Sequence, residues 1–163
     1  MRIEIDITRQ DYLNFNLYHF RKKNLVRTAL IGVIGLIILQ YSINKEKETV
    51  NISAVVISSI LYIFIFAVIM YFSLTRSKSI PKDNGSFLGK KVYEFSDDYI
   101  SFSDKDSDGR FQWNAIKSLE EDSKAFYLYV DTIMALLIPK RYFVDRLEEQ
   151  AFRSYVQSKV NVA

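Results

Sequence analysis

The longest uncharged run in the sequence is TVNISAVVISSILYIFIFAVIMYFSLT, residues 49–75. It exceeds the ~20 apolar residues that a helix needs to cross a bilayer. A second uncharged run, residues 28–44, reaches that length when it is extended to residue 25, because Arg27 can direct its charged end to the interface. Together the two runs predict a transmembrane helical hairpin over residues 25–75. Its two spans are expected at about residues 25–43 and 50–75.

Basic side chains flank this predicted hairpin on both sides, whereas its tip carries two lysines balanced by two glutamates. The positive-inside bias therefore places both termini in the cytoplasm. Flanking cations are attracted to anionic lipid headgroups. We expect such contacts from Arg21, Lys22, Lys23, Arg27, Arg76, Lys78 and Lys82.

Outside the membrane-adjacent segments the chain is acidic. Residues 92–163 carry nine basic and thirteen acidic side chains, so the pI of about 9.0 reflects the cations beside the predicted bilayer. This distribution leaves no basic face for nucleic acid. The chain has no cysteine and one histidine, His19, which excludes thiolate chemistry and most familiar catalytic arrangements. We therefore expect a protein that is not an enzyme and that holds no cofactor or metal.

The first 24 residues predict a strand followed by an interfacial helix. Over residues 2–7 three isoleucines alternate with charged residues, as in a half-buried strand. Thr8 and Asp11 have the spacing of a capping box that opens a helix. That helix is rich in aromatic residues and ends in a basic cluster, which is typical of a segment at the headgroup level.

Residues 91–163 predict a soluble α+β domain, which follows a linker at residues 76–90. Short alternating runs indicate antiparallel strands, and the apolar run at residues 133–139 is expected to be an inner strand. One amphipathic C-terminal helix closes a small barrel or split sheet. If the N-terminal strand joins this sheet, the transmembrane hairpin is inserted in the soluble domain.

The C-terminal helix is expected to begin at Asp145, with Glu148 completing the cap. Apolar residues recur along it at helical spacing and predict a single buried stripe. The residues of this stripe are Leu147, Ala151, Phe152, Tyr155 and Val156.

The stretch DKDSDG, residues 104–109, admits two interpretations. It matches the front half of a helix–loop–helix calcium site, but position 12 of such a loop falls on Ala115, which offers no side-chain oxygen. Flanking strand periodicity favours a hairpin, with Gly109 at a positive-φ position and the other aspartates keeping the tip solvated.

Three motifs carry a resemblance to a known family: YEFSDDYISFS at residues 93–103, WNAI at 113–116 and LLIPKRYF at 136–143. With the N-terminal strand and the two spans, their order resembles the YcxB-like family of bacterial membrane proteins. The resemblance implies a multi-pass protein of the bacterial cytoplasmic membrane, whose two-span hairpin bears a cytoplasmic pleckstrin-homology-like domain. It implies no activity.

Two places in the domain are candidate binding sites. Lys140 and Arg141 form a basic pair beside a predicted helix start, which suits an anionic ligand, although two solvated cations at a junction are the alternative. Trp113 could anchor an interface, or it could lie in the core as the middle of an alternating strand.

The expected function is that of a non-enzymatic, membrane-anchored cytoplasmic domain that recruits a protein partner. An alternative is an immunity-type protein that neutralises a toxin at the membrane. The partner recovered by affinity capture from native membranes distinguishes these two hypotheses.

Overall fold

The computed structural model describes residues 1–45, 49, 51–76, 81 and 87–160 of the 163-residue chain. It divides into two compact units. The helical unit comprises residues 16–77, and the sheet unit comprises residues 1–15 and 78–163. The helices are α1 (Arg9–His19), α2 (Leu25–Asn44), α3 (Ile52–Arg76) and α4 (Arg146–Val160), and the strands are β1 (Arg2–Ile7), β2 (Gly89–Phe95), β3 (Tyr99–Asp104), β4 (Asp108–Gln112), β5 (Ser118–Glu121), β6 (Ala125–Tyr129) and β7 (Ala135–Pro139).

The helical unit is an antiparallel pair formed by α2 and α3. A π-helical turn at Phe20–Asn24 joins α1 to α2, so the helical stretch runs continuously from Arg9 to Asn44. That stretch and α3 are both long and apolar enough to cross a membrane. Most of their large apolar side chains are exposed, as expected of helices that face lipid.

Small residues and one amide hold the two helices together. Gly32 of α2 faces the ring of Phe66, and a Cβ added there would lie 3.1 Å from that ring. Nearer the other end of α2, the amide of Gln40 donates hydrogen bonds to the hydroxyls of Ser58 (3.0 Å) and Ser59 (2.9 Å). Both devices are typical of helix pairing in membranes, where close backbone approach and polar contacts replace hydrophobic burial.

The sheet unit contains two antiparallel sheets, with strand orders β1-β2-β3-β4 and β5-β6-β7. The prediction that the N-terminal strand joins the sheet is confirmed, since β1 pairs with β2 from Arg2 opposite Glu94 to Ile7 opposite Gly89. The inner faces of both sheets and α4 enclose one apolar core. In the described part of the chain the strands form two open sheets, not a closed barrel.

The predicted α-helical stripe on α4 is partly wrong. Phe152 and Val156 are fully buried, but Leu147 and Ala151 are exposed. The reason is that the buried face of α4 is rotated from the predicted stripe: the half-buried Glu149 lies on the same side of the helix as Phe152 and Val156, whereas Leu147 and Ala151 lie on a flank that is exposed. The predicted cap is present: Asp145 accepts a hydrogen bond from the Glu148 amide at 2.8 Å.

The prediction of an inner strand at residues 133–139 is also wrong. β7 spans only Ala135–Pro139 and lies at the edge of its sheet, while Ile133 and Met134 are exposed in the preceding turn. The central strand of this sheet is β6, which is buried on both faces. Phe126 and Leu128 of β6 join the core cluster.

On its other face, β6 packs against α1. The ring of Phe15 lies 5.5 Å from the ring of Tyr127 and 6.1 Å from that of Tyr129. This contact is where the N-terminal helix covers the second sheet.

Residues 104–108 form a hairpin turn between β3 and β4, as the strand periodicity predicted. Asp104 builds the turn, because its Oδ1 accepts hydrogen bonds from the amides of Asp106 and Ser107. Its Oδ2 accepts a bond from Lys91 on β2 at 2.9 Å, and both side chains of this ion pair are nearly buried. The assumption that Asp104 only keeps the tip solvated is therefore wrong.

Gly109 does not have the positive φ that the hairpin interpretation gave it. Among the described residues, a positive φ occurs only at Gly89. Gly109 lies opposite Phe102 on β3, and a Cβ there would come within 2.6 Å of the Phe102 ring. Glycine thus makes room for an aromatic ring that stacks against Phe111.

Asp104 is expected to make the stability of the sheet unit dependent on acid. Hydrogen bonds from Lys91 and from the turn amides hold the pKa of Asp104 well below its ordinary value. Its contribution is complete above the ordinary aspartate pKa of about 3.9 and is lost as the pH falls toward the folded-state pKa. Asp104→Asn should lower the free energy of unfolding by about 1–3 kcal/mol at neutral pH. Below pH ~4 the variant should also lose less stability with falling pH than the natural protein does. Urea unfolding at a series of pH values measures both effects, and parallel profiles for the two proteins would contradict them.

Candidate functional site

The segment between the last strand and the last helix includes Pro139, Lys140, Arg141 and Tyr142. Its two cationic side chains, Lys140 and Arg141, contact different elements of the sheet unit. Pro139 ends β7 in an extended conformation, and residues 140–142 then form one 3-10 turn. Lys140 faces β5 and α4, whereas Arg141 faces β1 and α1. The sequence therefore located a strand-to-helix junction, but it did not indicate which elements the two cations contact.

Lys140 is the centre of an ion network on the sheet unit. Its Nζ lies 2.7 Å from Glu121 Oε2 and 2.9 Å from Glu149 Oε1. Arg153 contacts the same two carboxylates, at 2.8 Å and 3.3 Å. Lys140 and Arg153 also lie over the ring of Phe126, at 4.6 Å and 5.7 Å from its centroid. The network fixes α4 onto the second sheet.

The network perturbs its own ionisation. Burial is the largest single influence and opposes charge on both Lys140 and Glu121, but their hydrogen bonds and charge attractions within the network, including those to Glu149 and Arg153, together outweigh it. As a result the pKa of Glu121 lies below its ordinary value and the pKa of Lys140 lies above its ordinary value. Both groups therefore remain charged near neutral pH.

Arg141 joins the C-terminal part of the sheet unit to its N-terminal segment. Its guanidinium donates to both carboxylate oxygens of Asp11 on α1, at 2.5 Å and 2.8 Å, across 130 residues of sequence. The same guanidinium and the hydroxyl of Tyr142 donate to the carbonyl of Asp6, at 2.9 Å and 3.0 Å. Bidentate geometry of this kind is the strongest form of carboxylate recognition.

Asp11 thus has two roles. As the predicted capping box requires, Thr8 donates through its amide and its hydroxyl to Asp11 Oδ2, and Asp11 donates its amide to Thr8 Oγ1. Burial raises the energy of the charged carboxylate, but the bonds from Arg141 and Thr8 dominate and hold the pKa of Asp11 below its ordinary value. The capping box was readable in the sequence, whereas the pairing with Arg141 had no local signal.

Arg141→Lys is expected to destabilise the sheet unit by about 1–2 kcal/mol, because lysine cannot form the bidentate contact with Asp11. The arginine is half-exposed, so solvent screening keeps the effect modest. Arg146→Lys is the matched control, since Arg146 is exposed and makes no ion pair in the described part of the chain. Thermal unfolding of both variants checks this, and equal melting temperatures would contradict the role given to Arg141.

Trp113 lies in the core. It follows β4 in a 3-10 turn instead of occupying the middle of a strand, because the chain leaves the first sheet at Gln112. Its side chain is buried, its indole N–H donates to the carbonyl of Ser96 at 2.9 Å, and its ring packs edge-on against Tyr155. The described contacts of Trp113 are all internal to the sheet unit.

A cleft opens beside Lys140. It has a volume of about 270 Å³ and lies between the β5–β6 turn, the 3-10 turn after β7 and the first turns of α4. The cleft is lined by Ser123, Lys140, Arg146, Glu149, Gln150 and Arg153. Neither Arg146 nor Arg153 was singled out from the sequence as a site residue, because their spacing on α4 is that of an ordinary solvated face.

The predicted lipid-facing cations can be located in the helical unit. Arg21, Lys22 and Lys23 are exposed in the π-helical turn, and Arg27 and Arg76 are exposed on α2 and α3. Because α2 and α3 are antiparallel, the start of α2 and the end of α3 lie at the same end of the pair. Lys78 and Lys82 lie outside the described residues.

These features define an α+β protein that combines two antiparallel sheets and a C-terminal helix with two apolar helices long enough to span a membrane. Residues 95–156 match the family model described as YcxB-like protein. Over these residues the match confirms the resemblance inferred from the sequence: the part of the chain from the end of β2 into α4 is similar to this family. Comparison with curated proteins and with solved structures gives no match.

Proposed function

We propose that the protein is a non-enzymatic binding module anchored in the bacterial cytoplasmic membrane, which recruits a protein partner to the membrane surface. The observation that carries this proposal is the pairing of β1 with β2 across the two apolar helices. Both ends of the helical unit are thereby attached to one folded sheet unit. An arrangement of this kind holds a rigid domain at a bilayer through two covalent connections instead of one.

The charge pattern supports a cytoplasmic location for the sheet unit. Exposed cations cluster at the end of the helical unit from which the chain continues into the sheet unit. The positive-inside bias favours the cytoplasm for that end, and anionic headgroups attract such a cluster. Both termini are then cytoplasmic.

The strand arrangement supports a pleckstrin-homology-like domain. The sheet unit has a four-stranded sheet, a three-stranded sheet and a C-terminal helix that packs on both. This is the architecture expected of a pleckstrin-homology-like domain. In the proposed protein the membrane hairpin occupies the connection between the first two strands. Domains of this architecture serve diverse functions, so the architecture alone assigns no ligand.

Exposed apolar side chains on the sheet unit support a protein partner. Val144 and Leu147, at the start of α4, are 91% and 74% exposed, and Ile133 is 73% exposed in the β6–β7 turn. Contiguous exposed apolar patches that are rimmed by polar residues mark interaction sites, whereas single exposed apolar side chains are ordinary. Val144 and Leu147 lie three positions apart in the sequence, whereas Ile133 lies in another turn. The start of α4 is the patch that we assign to the partner.

Affinity capture after cross-linking in native bacterial membranes tests the proposal. The wild-type protein should enrich a specific partner, and Leu147→Asp should abolish that enrichment because it places a charge in the apolar contact. Ser158→Asp, an exposed change near the end of the same helix, is the matched control. Recovery of a toxin would support the immunity hypothesis, and the absence of any Leu147-dependent partner would contradict recruitment.

A further inference from the structure

The four-stranded sheet has an open edge at β4. At its other edge, the carbonyl of Asp6 on β1 accepts hydrogen bonds from the side chains of Arg141 and Tyr142. Along the free side of β4, no residue in the described ranges makes a comparable contact. An open edge presents unpaired N–H and C=O groups with which a further strand can pair. β4 is therefore the strand at which this sheet can be extended.

The backbone groups on the free edge belong to alternate residues of β4. At the β3–β4 turn, the amide of Asp104 donates to the carbonyl of Ser107 at 2.8 Å. Bonded pairs recur at every second residue of an antiparallel ladder, so Gly109 and Phe111 direct their backbone groups toward β3. The remaining residues of β4 direct theirs to the free edge. These are Asp108, Arg110 and Gln112.

The side chains along this edge are complementary in charge to a second copy of themselves. Asp108 and Arg110 are exposed, and neither forms an ion pair with a described residue. Arg110 lies over the ring of Tyr99, 5.1 Å from its centroid, which keeps it on the outer face of the sheet. An antiparallel copy of β4 centred on Gly109 would place Asp108 of each copy opposite Arg110 of the other. Opposite charges at facing positions stabilise a strand pair, and like charges destabilise it.

We infer that β4 pairs antiparallel with β4 of a second copy of this chain, so that one sheet runs through both copies. Two-fold symmetry repeats each contact, so the pair contains two Asp108–Arg110 contacts. Centring the pair on Arg110 instead would place two arginines opposite each other. Charge therefore selects both the partner and the register. The interface is separate from the start of α4, to which the recruited protein is assigned.

The inner face of β4 is suited to the centre of this interface. Gly109 has no side chain, and the ring of Phe102 occupies the space where a Cβ would lie, at 2.6 Å. Phe102 stacks against Phe111 with 5.4 Å between the ring centroids, and both rings are only partly buried. With Gly109 of each copy at the two-fold axis, the Phe102 rings of the two copies come together over the glycines. Association thus buries aromatic surface that is half-exposed in the single chain.

Energy transfer between labelled full-length chains tests the inference. The chains are placed in vesicles of uncharged phosphatidylcholine, a choice that rests on the membrane location proposed above. Because the natural chain has no cysteine, Ser158→Cys supplies one exposed labelling position on α4. Donor-labelled and acceptor-labelled chains should show energy transfer that an excess of unlabelled chain abolishes. Asp108→Arg and Arg110→Asp should each weaken association at least about tenfold, because each places like charges opposite each other twice.

Mixing the two variants provides the sharpest comparison. When one Asp108→Arg chain meets one Arg110→Asp chain, opposite charges face each other again at both positions. Energy transfer should therefore return to the level of the natural chain in the mixture, although each variant alone lacks it. Asp98→Arg reverses an exposed charge in the β2–β3 turn and should leave association unchanged. The emission of Trp113 checks that every variant retains the folded core.

Three outcomes would overturn the inference. These are the absence of energy transfer between natural chains that float with the vesicles, transfer that persists in both single variants, and a mixture that fails to recover it. If natural chains do not pair but Asp108→Arg loses a captured protein, the edge binds a strand of that protein and the second copy is wrong. Flotation with the vesicles tests the membrane location separately, and Leu147-dependent capture tests recruitment separately.

Discussion

Replacing all three isoleucines of β1 by alanine, at positions 3, 5 and 7, is expected to unfold the sheet unit. All three side chains are buried in the core. A buried isoleucine exchanged for alanine costs about 2–5 kcal/mol, so the three together should remove about 6 kcal/mol or more. Domain stabilities are typically about 5–15 kcal/mol, so little would remain. The result would show that a strand placed before the two apolar helices is an integral part of the domain that follows them.

The same strand provides the matched control. Arg2, Glu4 and Asp6 alternate with the isoleucines and are exposed. Changing all three to alanine should cost about 1 kcal/mol or less, because exposed ion pairs contribute little and the Asp6 carbonyl that Arg141 binds is retained. Circular dichroism and limited proteolysis of the purified full chain in detergent measure both variants. Similar losses of stability for the two variants would contradict the burial of the isoleucine face of β1 in the core of the sheet unit.

Phe152→Ala is expected to lower the free energy of unfolding of the sheet unit by about 3–5 kcal/mol. Phe152 is fully buried, and its ring lies 5.0 Å from that of Phe95 and 5.1 Å from those of Phe126 and Phe143. These rings belong to both sheets and to the junction before α4. Alanine would leave a cavity where all three elements meet.

Tryptophan fluorescence reports this change selectively. The chain has one tryptophan, and Trp113 packs against Phe95 within the same core. Urea unfolding followed by its emission should therefore monitor the sheet unit. Leu147→Ala, an exposed position on the same helix, should change stability by less than about 0.5 kcal/mol. A loss below about 1 kcal/mol for Phe152→Ala would mean that α4 does not close the core.

Features that depend on local sequence were predictable. Hydropathy located both apolar helices, alternation located β1, and the spacing of Thr8 and Asp11 located the cap of α1. Each of these depends on residues that lie within one element. None of these predictions required knowing how one element packs against another.

Features that depend on tertiary placement were not predictable. Apolar spacing put Leu147 in the buried stripe with Phe152, but the two side chains lie about 140° apart around the helix, and the sequence could not show on which of them the buried face is centred. The ion pair of Arg141 with Asp11 joins residues 130 positions apart. The predicted role of Gly109 was wrong for the same reason. Glycine is required there because a side chain would collide with Phe102 on the neighbouring strand, and not because of a positive φ.

Of the candidate site, the sequence located only the junction. Lys140 and Arg141 were identified as a basic pair, but Glu121, Glu149 and Arg153, which surround Lys140, come from β5 and α4. Separate local patterns gave no reason to place these three together. The cleft that they border required the packing of α4 on the second sheet.

Cysteine accessibility tests the central claim, a domain held at the cytoplasmic face by a membrane hairpin. The natural chain has no cysteine, so single substitutions can be labelled without background. A membrane-impermeant maleimide is applied to spheroplasts whose cytoplasmic membrane is intact, and Lys45→Cys, just beyond the end of α2, should be labelled under these conditions. Lys105→Cys, in the β3–β4 turn, should be labelled only after the membrane is permeabilised. Labelling of Lys105→Cys in intact spheroplasts, with Lys45→Cys protected, would contradict the account.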